Sequence, residues 1–320
     1  MIELKEILPK AIKILDKSAI DALSNIRLWN GYCMLSNGRI SFSWYCAGLT
    51  EFNITINAQK FLTALKSCDW ENFNIKETDK NLLISKNKLK IKLAKFPNSD
   101  YPIFASQADL YRVDHNRIKL TKDLFPFIAT STQRVWSTGV YFDGEYAYAT
   151  NNIVMVRIPI KTEYAFILPA ETLKYLLGIK SNITAICLDD KTIRFHFENN
   201  SILHSRLIDG KWPDVKKLFN GLSAGTIPNE FKDDIKKLIS LSDDQEVPII
   251  KFGEYGMFTK EGETHAEIKN YSFPSASFNG KILLEILNIA THIQINKSGE
   301  NSFFKGDLGL EGVFVGMRDV

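Results

Sequence analysis

The segment ITINAQKFLTALKS, residues 54–67, is the first of three copies of one pattern in this 320-residue chain. The other two copies are FILPAETLKYLLGI, residues 166–179, and ASFNGKILLEILNI, residues 276–289. Each copy predicts a short apolar strand, a polar break, and a helix with apolar residues at spacings of three and four. The copies begin about 110 residues apart, which is too long a period for a solenoid and matches a domain.

A second helix precedes each copy, and alternating strands follow it. These earlier helices are predicted at residues 4–16, 119–130 and 229–240. The first carries an apolar stripe composed of Leu4, Ile7, Leu8, Ala11, Ile12 and Leu15. Each third is therefore predicted to be an α+β domain whose two helices cover one face of an antiparallel sheet. The predicted domains are residues 1–112, 113–220 and 221–320.

The overall composition excludes several classes of protein. Lys and Arg number 40 against 37 Asp and Glu, so the chain is not a histone-like polycation. No apolar run approaches the roughly 20 residues that a membrane-spanning helix needs. Lys10 and Lys13 interrupt the N-terminal apolar stretch, which predicts an amphipathic helix rather than a signal peptide. Four cysteines without CxxC spacing predict buried thiols, and together these features predict a cytoplasmic protein without a membrane partner.

Basic residues recur on the polar faces of the predicted helices. Lys10, Lys13 and Lys17 lie opposite the apolar stripe of the first helix, and Lys122 and Lys281 take the same position on theirs. Solvated outer faces also explain single lysines, but lysines on similar helices of three domains would form one positive surface that binds phosphates without reading sequence. The predicted DNA-binding residues are Lys10, Lys13, Lys17, Lys60, Lys122, Arg134, Lys174, Lys236, Lys237 and Lys281.

No catalytic motif is recognisable in the sequence. It contains no P-loop, HExxH, GxSxG or GxGxxG pattern. Asp189-Asp190, and Asp243-Asp244 with Glu246, could be imagined as Mg²⁺ ligands of a nuclease. Both pairs lie where turns are expected, and solvated turns account for them. We therefore predict no catalytic residue, no metal ligand and no cofactor.

The stretch SRLIDGKWPDV, residues 205–215, resembles the signature at the end of the middle domain in bacterial DNA polymerase sliding clamps, the beta subunit of the replicative polymerase. FPNSDYP, residues 96–102, holds the matching place in the first third. The resemblance covers all three thirds and is strongest over residues 131–219. It implies three similar domains per chain and a head-to-tail homodimeric ring whose helices surround duplex DNA. It also implies a non-enzymatic processivity factor, for which ATP is needed only by a separate clamp loader.

The same resemblance implies a pocket between the second and third domains that receives short peptides from the polymerase, the clamp loader and repair proteins. It is formed by YATNNIVMVRIP (148–159), the end of the signature, and VFVGMRDV (313–320). The implied pocket residues are Thr150, Asn152, Ile153, Val154, Met155, Pro213, Lys217, Leu218, Val313, Phe314, Val315, Gly316, Met317 and Arg318. This chain lacks the glycine, histidine and arginine that the family usually has in the first stretch, and Gly316 replaces a proline, so the pocket is predicted to be more apolar and its tail less rigid.

The resemblance also implies which residues close the ring. Phe96 and Ile268 match the family's apolar residues at the closing interface, whereas Lys269 stands where an apolar residue is usual. The divergence from the family would suit a virus-encoded or otherwise specialised clamp. One alternative is a clamp-like protein that binds replication proteins without encircling DNA, and the other is a metal-dependent nuclease that uses the acidic pairs.

Overall fold

The structure is a computed structural model of the chain. It describes residues 2–15, 21–70, 73–101, 110–111, 115–130, 133–220, 225–228, 230–254, 256–260, 262, 264–266 and 273–317.

The chain divides into two compact units. The first combines Met1–Asn116 with Glu171–Leu207, and the second combines Arg117–Ala170 with Ile208–Val320. Each unit thus draws on more than one of the predicted thirds, and the division into three domains stays a prediction.

Antiparallel strands form the framework of both units. The first unit contains a sheet in the order β5-β6-β7-β4-β1-β2-β3-β15-β14-β13-β8, and the second contains the sheets β12-β9-β10-β11-β23-β22-β21-β16 and β19-β18-β17-β20. The strands are β1 (Asn25–Trp29), β2 (Tyr32–Ser36), β3 (Ile40–Tyr45), β4 (Asn53–Asn57), β5 (Asn74–Glu77), β6 (Asn81–Lys86), β7 (Leu89–Phe96), β8 (Leu110–Tyr111), β9 (Gly139–Phe142), β10 (Tyr146–Thr150), β11 (Val154–Pro159), β12 (Phe166–Pro169), β13 (Ile183–Leu188), β14 (Thr192–Phe197), β15 (Ile202–Arg206), β16 (Gly225–Thr226), β17 (Ile249–Gly253), β18 (Gly256–Thr259), β19 (His265–Ala266), β20 (Ala276–Asn279), β21 (Ala290–Gln294), β22 (Asn301–Gly306) and β23 (Glu311–Val315).

The repeated strand-and-helix pattern is confirmed in all three copies. The strands β4, β12 and β20 each run directly into a helix. Asn57 and Asn279 cap two of these helices by accepting backbone N–H groups, as asparagine does at an N-terminus. The α-helices are α1 (Ile2–Ala11), α2 (Ala58–Ser67), α3 (His115–Ile118), α4 (Ala170–Gly178), α5 (Phe231–Leu241) and α6 (Gly280–Ile289). None of the helices in the described ranges is long and apolar enough to cross a membrane.

The helix predicted at residues 119–130 is present, but it is shorter than predicted and is not α-helical. The short helix α3 continues as a 3-10 helix over Lys119–Phe127, which contains Pro126. Proline has no N–H to donate, and in an α-helix its ring would clash with the carbonyl four residues earlier. The helix predicted at 4–16 also ends early, because α1 passes into a 3-10 turn at Ile12–Ile14.

Buried apolar side chains of the helices contribute to the core of each unit. In the first unit Leu8 of α1, Phe61 of α2 and Leu173 of α4 are fully buried. In the second unit the core includes Phe127 and Phe304, whose ring centroids lie 6.4 Å apart. Burial of such side chains is the main favourable contribution to folding.

Candidate functional site

The second unit contains an open groove of about 400 Å³. We call it the main groove, and its lining residues are Arg134, Trp136, Thr150, Asn152, Ile153, Val154, Met155, Pro213, Leu218, Asn301, Val313, Phe314 and Val315. Most of the lining comes from three segments that are far apart in the sequence: the β10–β11 hairpin, the corner that follows β15, and β23. Arg134 and Trp136, which precede β9, and Asn301 of β22 complete it. The structure therefore brings most of the implied pocket residues together on one surface.

A tight turn between β10 and β11 presents Ile153 to the main groove. The side-chain oxygen of Asn151 accepts the N–H groups of Ile153 and Val154 at 3.1 and 2.9 Å. Asn152 has a φ of 71°, a left-handed conformation that asparagine tolerates better than most residues. Ile153 is 45% exposed, so an apolar side chain faces solvent at the edge of the groove.

The corner over residues 207–219 forms another wall. Trp212, Val215 and Phe219 are buried against Tyr148 and Val313. Their burial holds the exposed Pro213 and Leu218 at the groove. The predicted turn at Gly210 has a steric requirement, because a Cβ there would lie 3.3 Å from Cβ of Trp136.

A second apolar cavity of about 180 Å³ adjoins the main groove. We call it the side cavity, and it shares Ile153, Phe314 and Val315 with the main groove. Its other lining residues are Val247, Phe278, Asn279, Ile282, Leu283, Ile286 and Met317. Sequence reasoning missed Ile282, Leu283 and Ile286 of α6, because an apolar stripe marks the buried face of a helix but does not say that a cavity lies beside it.

The other predicted pocket residues that the structure describes lie at the margins of the main groove. Met317 lines the side cavity, and its N–H donates to the carbonyl of Ser277 at 2.7 Å. Gly316 precedes it, with Ser277 O only 3.1 Å from the position that a Cβ would occupy. Lys217 is exposed beside Leu218 and does not line either space. Arg318 lies outside the described residues.

The structure describes four predicted DNA-binding lysines of the first unit. Lys10, Lys13, Lys60 and Lys174 are all exposed. The Tyr175 hydroxyl donates to the backbone carbonyl of Lys13 at 2.5 Å, which places the 3-10 turn after α1 beside α4 and Lys174. None of the four forms an ion pair with another described residue. Lys17 lies outside the described residues.

The predicted DNA-binding residues of the second unit have different surroundings. Lys236 and Lys237 form ion pairs with Asp233 and Asp234, both at 3.1 Å. These pairs are largely exposed, so they contribute little to stability, but they place a negative charge beside each lysine. The remaining three behave differently. Lys281 is exposed on α6, and Lys122 is exposed on the 3-10 helix. Arg134 lines the main groove and donates to Asn152.

The acidic pairs that could suggest a nuclease close turns in the structure. The Asp189 carboxylate accepts the N–H groups of Lys191 and Thr192 and the Thr192 hydroxyl, at 2.7 to 2.9 Å. The N–H of Val247, aided by that of Glu246, lowers the pKa of Asp244. No three His, Cys, Asp or Glu side chains within the described ranges form a set that could hold a metal ion.

The structure describes one of the two predicted ring-interface residues. Phe96 lies at the end of β7, opposite Thr55 of β4, and is 36% exposed. Residues 89–94 of the same strand pair with β6 but with no other described strand. Ile268 lies outside the described residues.

Solved structures with the same fold are bacterial beta clamps. The beta clamp of Helicobacter pylori, solved with a DNA ligase peptide, matches with a TM-score of 0.81 at 21% identity, over 99% of this chain and 98% of that one. Caulobacter crescentus pol III beta matches with a TM-score of 0.83 at 18% identity, over 99% and 98% of the two chains. The chain has the sliding-clamp fold.

The sliding-clamp fold is found again in a third organism. The Pseudomonas aeruginosa DnaN sliding clamp, solved bound to griselimycin, matches with a TM-score of 0.80 at 15% identity, over 98% of this chain and 96% of that one. No protein-family model and no curated protein sequence matches the chain. The fold that the signature SRLIDGKWPDV implied is therefore confirmed by three-dimensional similarity.

Proposed function

We propose that this protein is a DNA sliding clamp, a non-enzymatic processivity factor of a DNA polymerase. Two copies form a ring around duplex DNA in the cytoplasm. The ring slides on the DNA and holds the polymerase and the clamp loader through short peptides bound in the main groove. A separate loader uses ATP to open the ring.

The observation that carries this proposal is the main groove within a sliding-clamp fold. The groove is mostly apolar, it is open to solvent, and its edge carries the exposed side chains of Ile153, Leu218 and Val315. Such a surface accepts leucine and phenylalanine side chains of a peptide, while the few polar groups fix its orientation. The Helicobacter pylori clamp, which has this fold, was solved with a DNA ligase peptide.

The proposed contact with DNA is electrostatic. Exposed lysines such as Lys10, Lys13 and Lys60 would face the phosphates and leave the bases unread. A contact of this kind weakens with salt and permits sliding, so retention on DNA depends on the closed ring rather than on a tight bond.

Topological retention on DNA tests the proposal directly. The protein is loaded onto a nicked circular plasmid with a bacterial clamp loader and ATP, and bound protein is separated by gel filtration in moderate salt. We expect co-elution with the circle and release after a restriction enzyme linearises it. Retention that persists on linear DNA, or no retention on the circle, would contradict a sliding ring. Omission of ATP is the control for direct binding.

Equilibrium sedimentation tests the dimer separately. A ring of two chains predicts a mass that approaches twice the chain mass as the protein concentration rises. A strict monomer at high concentration would contradict an autonomous ring.

The ion pairs of α5 favour a second candidate, a clamp-like protein that binds replication proteins without encircling DNA. Asp233 and Asp234 offset the charges of Lys236 and Lys237, which weakens a positive surface in that part of the chain. Fluorescence polarisation measures the binding of labelled hexapeptides that contain leucine and phenylalanine. Both candidates should bind such peptides, whereas a protein without a peptide groove should not. Peptide binding without DNA retention would support the second candidate.

A further inference from the structure

Arg157 lies on β11 two residues beyond Met155, which lines the main groove. Glu311 is its direct partner on β23. The Nε and Nη2 atoms of Arg157 both donate to Glu311 Oε2, at 2.8 and 2.7 Å. The two side chains are only 15% and 24% exposed, so this charge-assisted contact is largely shielded from water. It ties two of the groove-forming strands together.

The same guanidinium also contacts the corner that carries Leu218. Its Cζ lies 4.1 Å from the centre of the Phe219 ring and 4.4 Å from that of Tyr146. Phe219 is buried and directly follows Leu218 in a 3-10 turn. Arginine is suited to this place, since its planar face stacks on rings while its edge forms hydrogen bonds.

Three further polar side chains lie near the Arg157 guanidinium and the corner: those of Tyr148, Asp143 and Lys216. The Tyr148 hydroxyl donates to Oδ2 of Asp143 at 3.1 Å, and the same oxygen lies 3.9 Å from Lys216 Nζ. Burial lowers the pKa of Arg157, but Glu311 and Tyr148 outweigh this effect, so the guanidinium remains charged. Burial, with the nearby charge of Asp143, raises the pKa of Tyr148, so its phenol stays neutral and can donate.

We propose that Arg157 is a positioning residue that holds the three walls of the main groove in their relative places. It orders β23 through Glu311, and it orders the corner through Phe219. Neither contact requires Arg157 to touch the bound peptide. This inference rests on the proposed peptide-binding function, and it adds the requirement that a residue outside the groove sets the affinity.

Peptide affinity of Arg157 variants tests the proposal. The probe is the tightest binder from a set of fluorescein-labelled hexapeptides that contain leucine and phenylalanine. We expect Arg157→Met to weaken binding by about tenfold or more, and Arg157→Lys by less because it keeps the charge on Glu311. Lys161→Met removes an exposed charge of the same unit and should leave the dissociation constant unchanged.

A double-mutant cycle separates positioning from general loss of stability. Arg157→Met and Phe219→Leu break the same contact, so their effects on peptide affinity should not add. Arg157→Met combined with Lys161→Met should add. A dissociation constant of Arg157→Met within about twofold of wild type, or additive losses with Phe219→Leu, would overturn the proposal.

A second measurement follows the groove without any peptide. Trp136 and Trp212 lie at the corner, so ¹⁹F NMR of 5-fluorotryptophan-labelled protein reports its order, with Trp29 as a reference in the other unit. We expect Arg157→Met to broaden or split the signals of Trp136 and Trp212 and to leave that of Trp29 unchanged. Unchanged signals would overturn the proposal. Failure of the wild type to bind any peptide would instead sink the proposed peptide function.

Discussion

The indole ring of Trp212 stacks on the ring of Tyr141, with centroids 5.1 Å apart and planes inclined by 16°. Trp136 meets the same indole edge-on, with a centroid distance of 4.9 Å. Aromatic pairs in these geometries contribute beyond the area they bury. Because Pro213 directly follows Trp212, this stacking places one wall of the main groove.

Replacement of Trp212 should therefore destabilise the second unit. We expect Trp212→Ala to lower the free energy of unfolding by about 3 to 5 kcal/mol, the usual cost of deleting a buried aromatic side chain. Denaturant unfolding followed by circular dichroism measures it. Trp29→Ala is the matched control, because Trp29 is 41% exposed and therefore loses less buried area, and it should cost clearly less than Trp212→Ala. Equal losses for the two variants would contradict the assigned role of Trp212.

A charge introduced at the edge of the main groove should weaken peptide binding. Leu218 is 38% exposed, so Leu218→Glu should leave the fold intact. A carboxylate that is desolvated by an apolar peptide side chain is costly, and we expect peptide affinity to fall by about tenfold or more. Fluorescence polarisation measures the loss. Leu308→Glu, at a residue that is 69% exposed and outside the groove, should bind as the wild type does.

The lysines of the two units should contribute unequally to DNA binding. Charge reversal of Lys10 and Lys13 removes cations that have no described ion-pair partner. It should lower DNA affinity steeply and reduce the slope of log affinity against log salt by about two. Reversal of Lys236 and Lys237, which already face Asp233 and Asp234, should have a smaller effect. Filter binding across a salt series compares the pairs, and equal effects would contradict this difference.

Neutralising Asp233 and Asp234 should raise the affinity for DNA rather than lower it. Asp233→Asn with Asp234→Asn removes the negative charge beside two lysines, so DNA affinity should rise about twofold at low salt. Asp243→Asn with Glu246→Gln, at two exposed residues of the same unit, changes the net charge by the same amount and is the control. A rise of the same size with the control would show that only net charge matters.

Buried His204 predicts a pH dependence of stability in the first unit. Burial, aided by Arg194 and Arg206 and opposed by Asp189, lowers the pKa of His204 to about 4. The unfolded chain protonates this histidine near pH 6.5, so between these values the unfolded state binds more protons and unfolding becomes easier as the pH falls. Above about pH 7, His204 should contribute little to the change of the free energy of unfolding with pH. By about pH 4.5, its protonation in the unfolded chain should lower that free energy by roughly 2 to 3 kcal/mol.

Thermal unfolding at several pH values measures this dependence. His204→Gln should flatten the curve between about pH 6.5 and 4.5, whatever its effect at neutral pH. An unchanged slope in His204→Gln would contradict the assignment.

The strand-and-helix repeat was predictable because its signal is local. Residues 54–67, 166–179 and 276–289 each combine a strand end with apolar residues at helical spacing, and each forms a strand followed by a helix. The corner at Trp212 was likewise visible, since glycine and proline end a strand by their own backbone chemistry. The segment Lys119–Phe127 shows where local spacing is insufficient. Its apolar spacing predicted a regular helix, but the segment contains Pro126 and forms a 3-10 helix.

By itself, the sequence determined which segments form strands and helices, and through its resemblance it indicated which residues meet at the main groove. Only the tertiary structure decided what holds that groove in place. The ion pair between Arg157 and Glu311 joins positions 154 residues apart, and the aspartates beside Lys236 and Lys237 change the surroundings of those lysines. Such contacts depend on strand register and side-chain direction across the whole fold, whereas a repeat or a turn depends only on neighbours along the chain.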